Sequence, residues 1–364
     1  MDAAEVRAAV GAVPDKDFHR PLGDLDMLAR VDASAEGAVD IVVAVPVHGH
    51  PLEEDLRADV IAAADRVSGV TSVRVEFAHM TAEERATLMQ RVRGGADTEI
   101  APGAATSTTR VIAVSSGKGG VGKSSVTANL GISLARLGKS VGIIDADVWG
   151  FSIPKMLGVD RAPSVIDDTL IPPRSHGVSA MSMDFFVQPD QAVIWRGPML
   201  HKALEQFLAD VYWGEPDYLL IDMPPGTGDV AISISQFVPR AQAIIVTTPQ
   251  VTAQRVAKRA GLMARQVKQD IMGVIENMSW FTGHDGTRYP IFGTGGGEAL
   301  AAELDVPLLG QIPLLPALRE GADLGLPVTV TEPDGEAAAA FDGIATEVES
   351  RRPRLRAHPE LVVR

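Results

Sequence analysis

The amino-acid sequence predicts an α/β fold, a doubly wound and mostly parallel sheet preceded by a small α+β domain. Three observations carry this reading. From Arg110 onward, short apolar runs without clean alternation recur, as in a parallel sheet covered on both faces. Segments with helical spacing separate most of those runs, and alternation of strand and helix builds a doubly wound sheet. Ahead of them lies a separate region with its own strand and helix signals, joined through a stretch of small residues.

In that first region, residues 1–93, the β-branched run Val39–Val45 reads as a strand. Leu56, Val60, Ala63 and Val67 have helical spacing. Val70 to Phe77 alternates, with Val73, Val75 and Phe77 facing one way and Arg74 and Glu76 the other, as in a half-buried strand. Thr81 and Glu84 form a capping-box pair that starts a helix. Residues 94–108 hold mostly small side chains with little to bury, and read as a flexible linker and domain boundary. In the second domain, 109–350, strands are expected at Val111–Ser115, Val141–Asp145, Tyr218–Asp222, Ala243–Thr247, Ile271–Ile275 and Leu308–Ile312. Ser124–Leu137 should be a helix with Val126, Leu130, Leu134 and Leu137 on one stripe. The end, 351–364, carries five arginines against one glutamate and reads as a basic solvated tail.

Composition excludes several function classes. The chain has 364 residues and a net charge of −14, which opposes a broad duplex-binding face or adsorption to an anionic membrane. No nucleic-acid or membrane partner is expected. There is no cysteine, so no disulfide, thiol nucleophile or thiolate-held cluster can form within this chain. The N-terminus has neither the basic start nor the apolar stretch of a signal peptide, and the expected compartment is the cytoplasm.

Gly117 to Ser124 reads G-x-x-x-x-G-K-S, after an expected strand and before an expected helix. Glycines let successive backbone N–H groups converge on a phosphate, and the helix adds its positive end. Lys123 should reach the β- and γ-phosphates and Ser124 should ligate Mg²⁺. Gly117, Lys118, Gly119, Gly120, Val121, Gly122, Lys123, Ser124 and Ser125 are thus the expected nucleotide cradle. Asp145 and Asp147 end one strand, and Asp222 ends another with Walker-B character. Strand-end carboxylates beside such a loop suit Mg²⁺; for Asp145 and Asp147, capping of a turn is the competing reading. Gly226, after two prolines, is placed to offer its N–H to the γ-phosphate. His48 and His50 fall on one face of an extended segment, with a metal pair and a solvated loop both open.

With these residues in view the chain resembles the Mrp (ApbC-type) family of P-loop ATPases, iron–sulfur cluster carriers in the wider MinD/ParA-like group. The resemblance rests on Gly117–Ser124 with its extra Lys118, Asp145-Ala146-Asp147, Trp195-Arg196-Gly197-Pro198-Met199, Asp222–Asp229, Glu276-Asn277-Met278-Ser279 and Phe292–Glu298. It implies ATP and Mg²⁺ as ligands, ATP hydrolysis, and a homodimer in which Lys118 crosses to the partner's phosphates. It also implies Asp147 at the attacking water, Asp145 near Mg²⁺, Asn277 on adenine, an iron–sulfur cluster as cargo, and client or assembly apoproteins as partners. Here the family's C-x-x-C positions fall at Gly283 and Gly286, which have no side chain to ligate iron. Asp285-Gly286 reads instead as a polar hairpin turn. Two alternatives differ in class: a nucleotide-switched scaffold without cluster carriage, and a ParA-like partitioning ATPase.

Overall fold

The computed structural model describes residues 2–47, 52–93, 101–104, 106–187, 197–226 and 228–351. His48, His50, Trp195, Arg196, Thr227, linker residues 94–100 and 105, and the tail from 352 lie outside the described residues. The chain forms two units, one of residues 1–100, 162–173 and 209–215, the other of 101–161, 174–208 and 216–364.

The first unit begins with α1 (Ala3–Gly11), β1 (Leu28–Ala33), β2 (Ala38–Val45), α2 (Glu53–Ala64), β3 (Ser72–His79) and α3 (Ala82–Val92). Its sheet has the order β1-β2-β3, with β1 antiparallel and β3 parallel to β2. Val39, Ile41, Val43 and Val45 alternate inward along β2, as the β-branched run demands. The capping box of α3 is formed: Thr81 Oγ1 accepts from the Glu84 N–H at 3.2 Å, and Glu84 accepts from the Thr81 N–H at 2.7 Å. The third strand starts later than its alternation suggests, because the Thr71 N–H is spent on the Gly37 carbonyl in a turn. α1 and β1 were not legible. α1 buries only Val6 and Val10, and β1 buries only Leu28, so neither has a strong period.

The chain continues through β4 (Arg110–Ser116), α4 (Lys123–Arg136), β5 (Val141–Asp145), α5 (Ile153–Met156), β6 (Ser164–Ile166), β7 (Thr169–Ile171), β8 (Arg174–Ser175) and β9 (Val178–Ser182). Then come α6 (Gly197–Ala209), β10 (Tyr218–Asp222), α7 (Asp229–Phe237), β11 (Gln242–Thr247), α8 (Val251–Gln266) and β12 (Asp270–Glu276). The last elements are β13 (Phe281–Thr282), β14 (Arg288–Tyr289), α9 (Gly296–Glu303), β15 (Leu308–Gln311), α10 (Pro316–Leu324), α11 (Val328–Thr331) and α12 (Glu336–Ser350). The main sheet runs β15-β12-β11-β4-β10-β5-β9-β8, parallel except for β8. This is the expected doubly wound sheet. Among the described residues no helix is long and apolar enough to cross a membrane.

Two expectations need correction. α4 is not striped: every residue from Val126 to Leu134 is buried, while Leu137 lies past the helix and is 45% exposed. The reason is a second cover, since Phe341, Ile344 and Val348 of α12 share the core that holds Val126, Leu130 and Leu134. The domain boundary is also more tangled than a cut at 94–108. The β6–β7 hairpin and residues 209–215 belong to the first unit. There Ile166 and Ile171 are buried with Met89, and Phe18 and Tyr212 pack on them. Tyr212 Oη donates to the Val92 carbonyl at 3.1 Å, and Arg85 pairs with Asp167 at 2.9 Å. Residues 1–93 therefore supply only part of that unit's core. Of the expected linker, Pro102 is buried and Ala101–Ala104 closes a turn.

Candidate nucleotide site

The site is built at the carboxyl edge of the main sheet, where parallel strands release their loops to one side. β4, β10 and β5 lie side by side, and Asp222 is in register with Val114 on one neighbour and Asp145 on the other. The loop after β4 encloses a cavity of about 180 Å³ lined by Ser116, Lys118 to Ser125, Asp147, Met156 and Pro225. Directions in which Gly119 and Gly120 would carry a Cβ are empty, so this rim is open backbone.

Two glycines of the motif answer to tertiary contacts. A Cβ on Gly117 would lie 2.2 Å from the Val256 backbone in α8. One on Gly122 would lie 2.3 Å from Asn277 Nδ2. At Gly117 backbone meets backbone and nothing can give way, whereas at Gly122 the Asn277 side chain could turn aside only by giving up its bond to Val121, and the φ of +78° favours glycine besides.

Behind the loop sits a compact ionic cluster. Lys123 Nζ is 2.6 Å from Asp222 Oδ2 and 3.7 Å from Asp147 Oδ2. Ser124 Oγ donates to Asp222 Oδ2 at 2.6 Å, and Thr127 Oγ1 donates to Asp222 Oδ1 at 2.7 Å. Asp145 is buried beside them; burial, with repulsion from Asp222 second, pushes its carboxyl up to about 7. Asp147 is raised too, chiefly by burial, against the lowering pull of Lys123. Three carboxylates thus share one ammonium. Hard oxygen donors with surplus negative charge next to an anion cradle fit a Mg²⁺–nucleotide.

The sequence-derived residues divide. Lys118, Gly119, Gly120, Val121, Gly122, Lys123, Ser124, Ser125 and Asp147 line the cavity. Asp222 lies just behind, on Lys123 and Ser124. Asp145 faces its own loop, accepting the N–H groups of Asp147, Ser152 and Ile153 at 3.0–3.2 Å. Gly226 gives its N–H to the Ser116 carbonyl at 3.0 Å, and Pro225 takes the place at the cavity wall. Asn277 donates to the Val121 carbonyl at 2.8 Å, supporting the loop from beneath. Lys118 reaches Gln250 Oε1 at 3.4 Å.

Sequence reasoning missed Thr127, Gln250, Met156 and Pro225. Only Thr127 left a signal: it follows Lys123 by four residues and so shares its helix face. Sequence reasoning also left unexplained the Glu276 beside Asn277. That buried carboxylate accepts from the Gly297 N–H at 2.6 Å, and from Ser279 Oγ and Gln311 Nε2 at 2.8 Å. It caps the start of α9 and ties that helix to the Asn277 turn.

The hairpin that carries Gly283 and Gly286 is a closed turn. The Gly283 N–H donates to the Thr287 carbonyl and the Gly286 N–H to the Gly283 carbonyl, each at 2.9 Å. Asp285 accepts from the Thr287 N–H and hydroxyl, the backbone bond first in holding its carboxyl below the ordinary range. Among the described residues, at the hairpin and at the loop alike, no three His, Asp or Glu side chains converge as a metal site on their own, so a cation at the loop would take ligands from the nucleotide and from Ser124 as well. With no cysteine in the chain, the donors do not fit a thiolate-held cluster.

Comparison with known proteins agrees with this anatomy. The family described as NUBPL iron-transfer P-loop NTPase matches residues 107–349, and that described as iron-sulfur cluster assembly protein matches residues 3–77. The chain is 45% identical over 359 residues to an iron-sulfur cluster carrier protein of Mycobacterium tuberculosis, covering 97% of this chain and 94% of the relative. With the carrier protein of Bacillus subtilis it shares 42% over 319 residues, 85% of this chain and 87% of the other. Among solved structures, a nucleotide-binding protein of Archaeoglobus fulgidus in complex with ADP is similar at TM-score 0.55 and 38% identity. That match covers 64% of this chain and 91% of the other. The septum site-determining protein MinD of Pyrococcus horikoshii with Mg-ADP is similar at TM-score 0.50 and 29% identity, over 66% and 96% of the two chains. On its P-loop anatomy and these matches, the chain belongs to the iron-transfer P-loop NTPases, the Mrp (ApbC-type) family of cluster-carrier ATPases.

Proposed function

We propose that this chain hydrolyses ATP with Mg²⁺ as a homodimer, and serves iron–sulfur cluster assembly as a nucleotide-driven partner of proteins that supply the sulfur ligands. The observation that carries the reading is a full phosphate cradle with its carboxylates in a chain without cysteine. Cluster-carrier relatives supply the biological setting, and the donor chemistry removes direct thiolate carriage from it.

In this reading the backbone N–H groups of Gly119 to Lys123 hold the phosphates, and Lys123 moves from Asp222 toward the β/γ oxygens. Ser124 and Asp222 would hold Mg²⁺, which would supply positive charge against the negative charge that grows on the transferred phosphoryl. Asp147, at the cavity wall with a raised carboxyl, orients the attacking water. Lys118 rests on a neutral Gln250 rather than on a carboxylate, a weak tether that suits a lysine used across a dimer interface.

The test has two arms. ATP turnover should require Mg²⁺ and fall to background in EDTA. Anaerobic reconstitution with iron and sulfide, followed by gel filtration, should leave the protein fraction without stoichiometric iron and sulfide. Absence of turnover would overturn the ATPase assignment; about four irons and four sulfides per dimer, a [4Fe–4S] load, would overturn the exclusion of carriage.

A further inference from the structure

We infer that Thr127 is a positioning residue for the metal-binding carboxylate Asp222, an assignment that rests on the Mg²⁺–nucleotide reading of this site. The argument is the bonding of one fully buried carboxylate. Asp222 Oδ2 takes Lys123 Nζ and Ser124 Oγ, each at 2.6 Å, while Oδ1 takes Thr127 Oγ1 at 2.7 Å. All three donors come from the first turns of α4, so the carboxylate is gripped from a single helix face.

Thr127 has one hydroxyl proton and two acceptors in reach, the Lys123 carbonyl at 3.0 Å and Asp222 Oδ1 at 2.7 Å. A helical threonine ordinarily bonds back to the carbonyl four residues earlier. Here the charged oxygen is nearer and the stronger acceptor, so the proton goes to Asp222. Among the described residues Oδ1 has no other donor.

The two oxygens therefore have separate duties. Lys123 and Ser124 on Oδ2 are groups that nucleotide and Mg²⁺ engage, so their bonds change on binding. Thr127 is not among the residues that line the cavity, so its bond on Oδ1 can persist and fix the rotation of the carboxylate. Valine has nearly the same shape as threonine and no hydroxyl. With valine, Oδ1 becomes an unsatisfied buried acceptor, and the carboxylate turns until it finds a donor. Asp222 then presents Oδ2 to the cation from a poorer angle.

The experiment uses the full chain with ADP and Mn²⁺ as a spectroscopic substitute for Mg²⁺. Free Mn²⁺ is read by electron paramagnetic resonance, and ADP affinity in EDTA by calorimetry. Thr127→Val should weaken Mn²⁺ binding in the presence of ADP by about tenfold, the low end for a hydrogen bond to a charged group. Metal-free ADP affinity should change less than about twofold, and Thr127→Ser should restore Mn²⁺ binding, because it keeps the hydroxyl. If the valine variant does not fold, Thr127→Ala carries the same comparison. Wild-type Mn²⁺ affinity in the hydroxyl-free variant would overturn the assignment. So would an equal loss of metal-free ADP binding, or no rescue by serine. A wild-type chain that binds no ADP overturns the nucleotide reading together with this one, which distinguishes the two failures.

Discussion

The phosphate loop and the 281–289 hairpin are both glycine-containing turns at the ends of strands, and they treat charge in opposite ways. Around the loop, Asp145, Asp147 and Asp222 crowd one Lys123, and burial raises the first two carboxyls. On the hairpin, Asp285 is solvated and satisfied by Thr287, and its carboxyl is lowered. One region has an excess of negative charge that a cation relieves; the other has no such need. The glycines differ likewise. Gly117 is bare because α8 presses on it, whereas Gly286 has nothing near its missing Cβ and is glycine for its φ of +78°. The difference teaches that the loop keeps the residues and open backbone of the P-loop family, whereas the turn at Gly283 and Gly286 is an ordinary polar hairpin with no side chain to ligate iron.

The strongest way to break this comparison is at Lys118. Lys118→Ala should bind nucleotide but turn over ATP about 10²–10³-fold more slowly, the usual cost of removing one transition-state donor. His284→Ala on the hairpin should leave turnover unchanged. A wild-type rate for the first, or a fall for the second, would merge the two regions. Lys123→Ala comes next: each lost charge-assisted contact should cost ~1.5–3 kcal/mol of ATP affinity by calorimetry. Unchanged affinity would remove the loop from phosphate binding.

Paired glycine substitutions sharpen the contrast in stability. Gly117→Ala should lower the unfolding free energy read from urea titration by about 3 kcal/mol or more, since backbone meets backbone. Gly286→Ala should cost only ~1–2 kcal/mol, the strain of a left-handed residue. Equal losses would mean that the close approach to α8 is not what demands glycine in the loop. The remaining test is of pH. Below the ordinary carboxylate value of 3.8, Asp145 is protonated in folded and unfolded chains alike. As pH rises from there toward 7, the unfolded chain ionises first, so stability falls and then levels above about 7. The slope for one group is at most about 1.4 kcal/mol per pH unit. Thermal melts of the ligand-free protein between pH 5 and 8 should show the decline, and Asp145→Asn should flatten it. A decline that persists in that variant would assign it elsewhere.

Legibility in the sequence followed the range of the interactions. β5 and β10 were readable to the residue because each is five consecutive buried residues, a short run without polar alternation that ends in an aspartate. The α3 cap was readable because Thr81 and Glu84 bond within one turn. α1 and β1 left too weak a period, and β9 is a short strand near the sheet's edge whose run Val178–Ser182 resembles a loop. Within the site, the loop and the three aspartates were legible as residue types at strand ends. Their division of labour was not, since nothing in Asp145-Ala146-Asp147 tells which carboxylate turns to the cavity and which closes its own turn.

By itself the sequence determined the alternation of strand and helix, the phosphate-binding loop with its lysines, and the absence of any sulfur ligand. Each depends on residue identity, or on a period read over neighbouring residues. Only the tertiary structure decided that Asp145 is spent on N–H groups of the loop before α5, and that Gly226 closes on Ser116. It alone brought Asn277 beneath Gly122, Thr127 onto Asp222, and the β6–β7 hairpin into the first unit's core. Those outcomes depend on which distant groups meet when buried polar atoms must all find partners. That requirement is imposed by packing across the whole sheet, and a linear pattern carries no record of it.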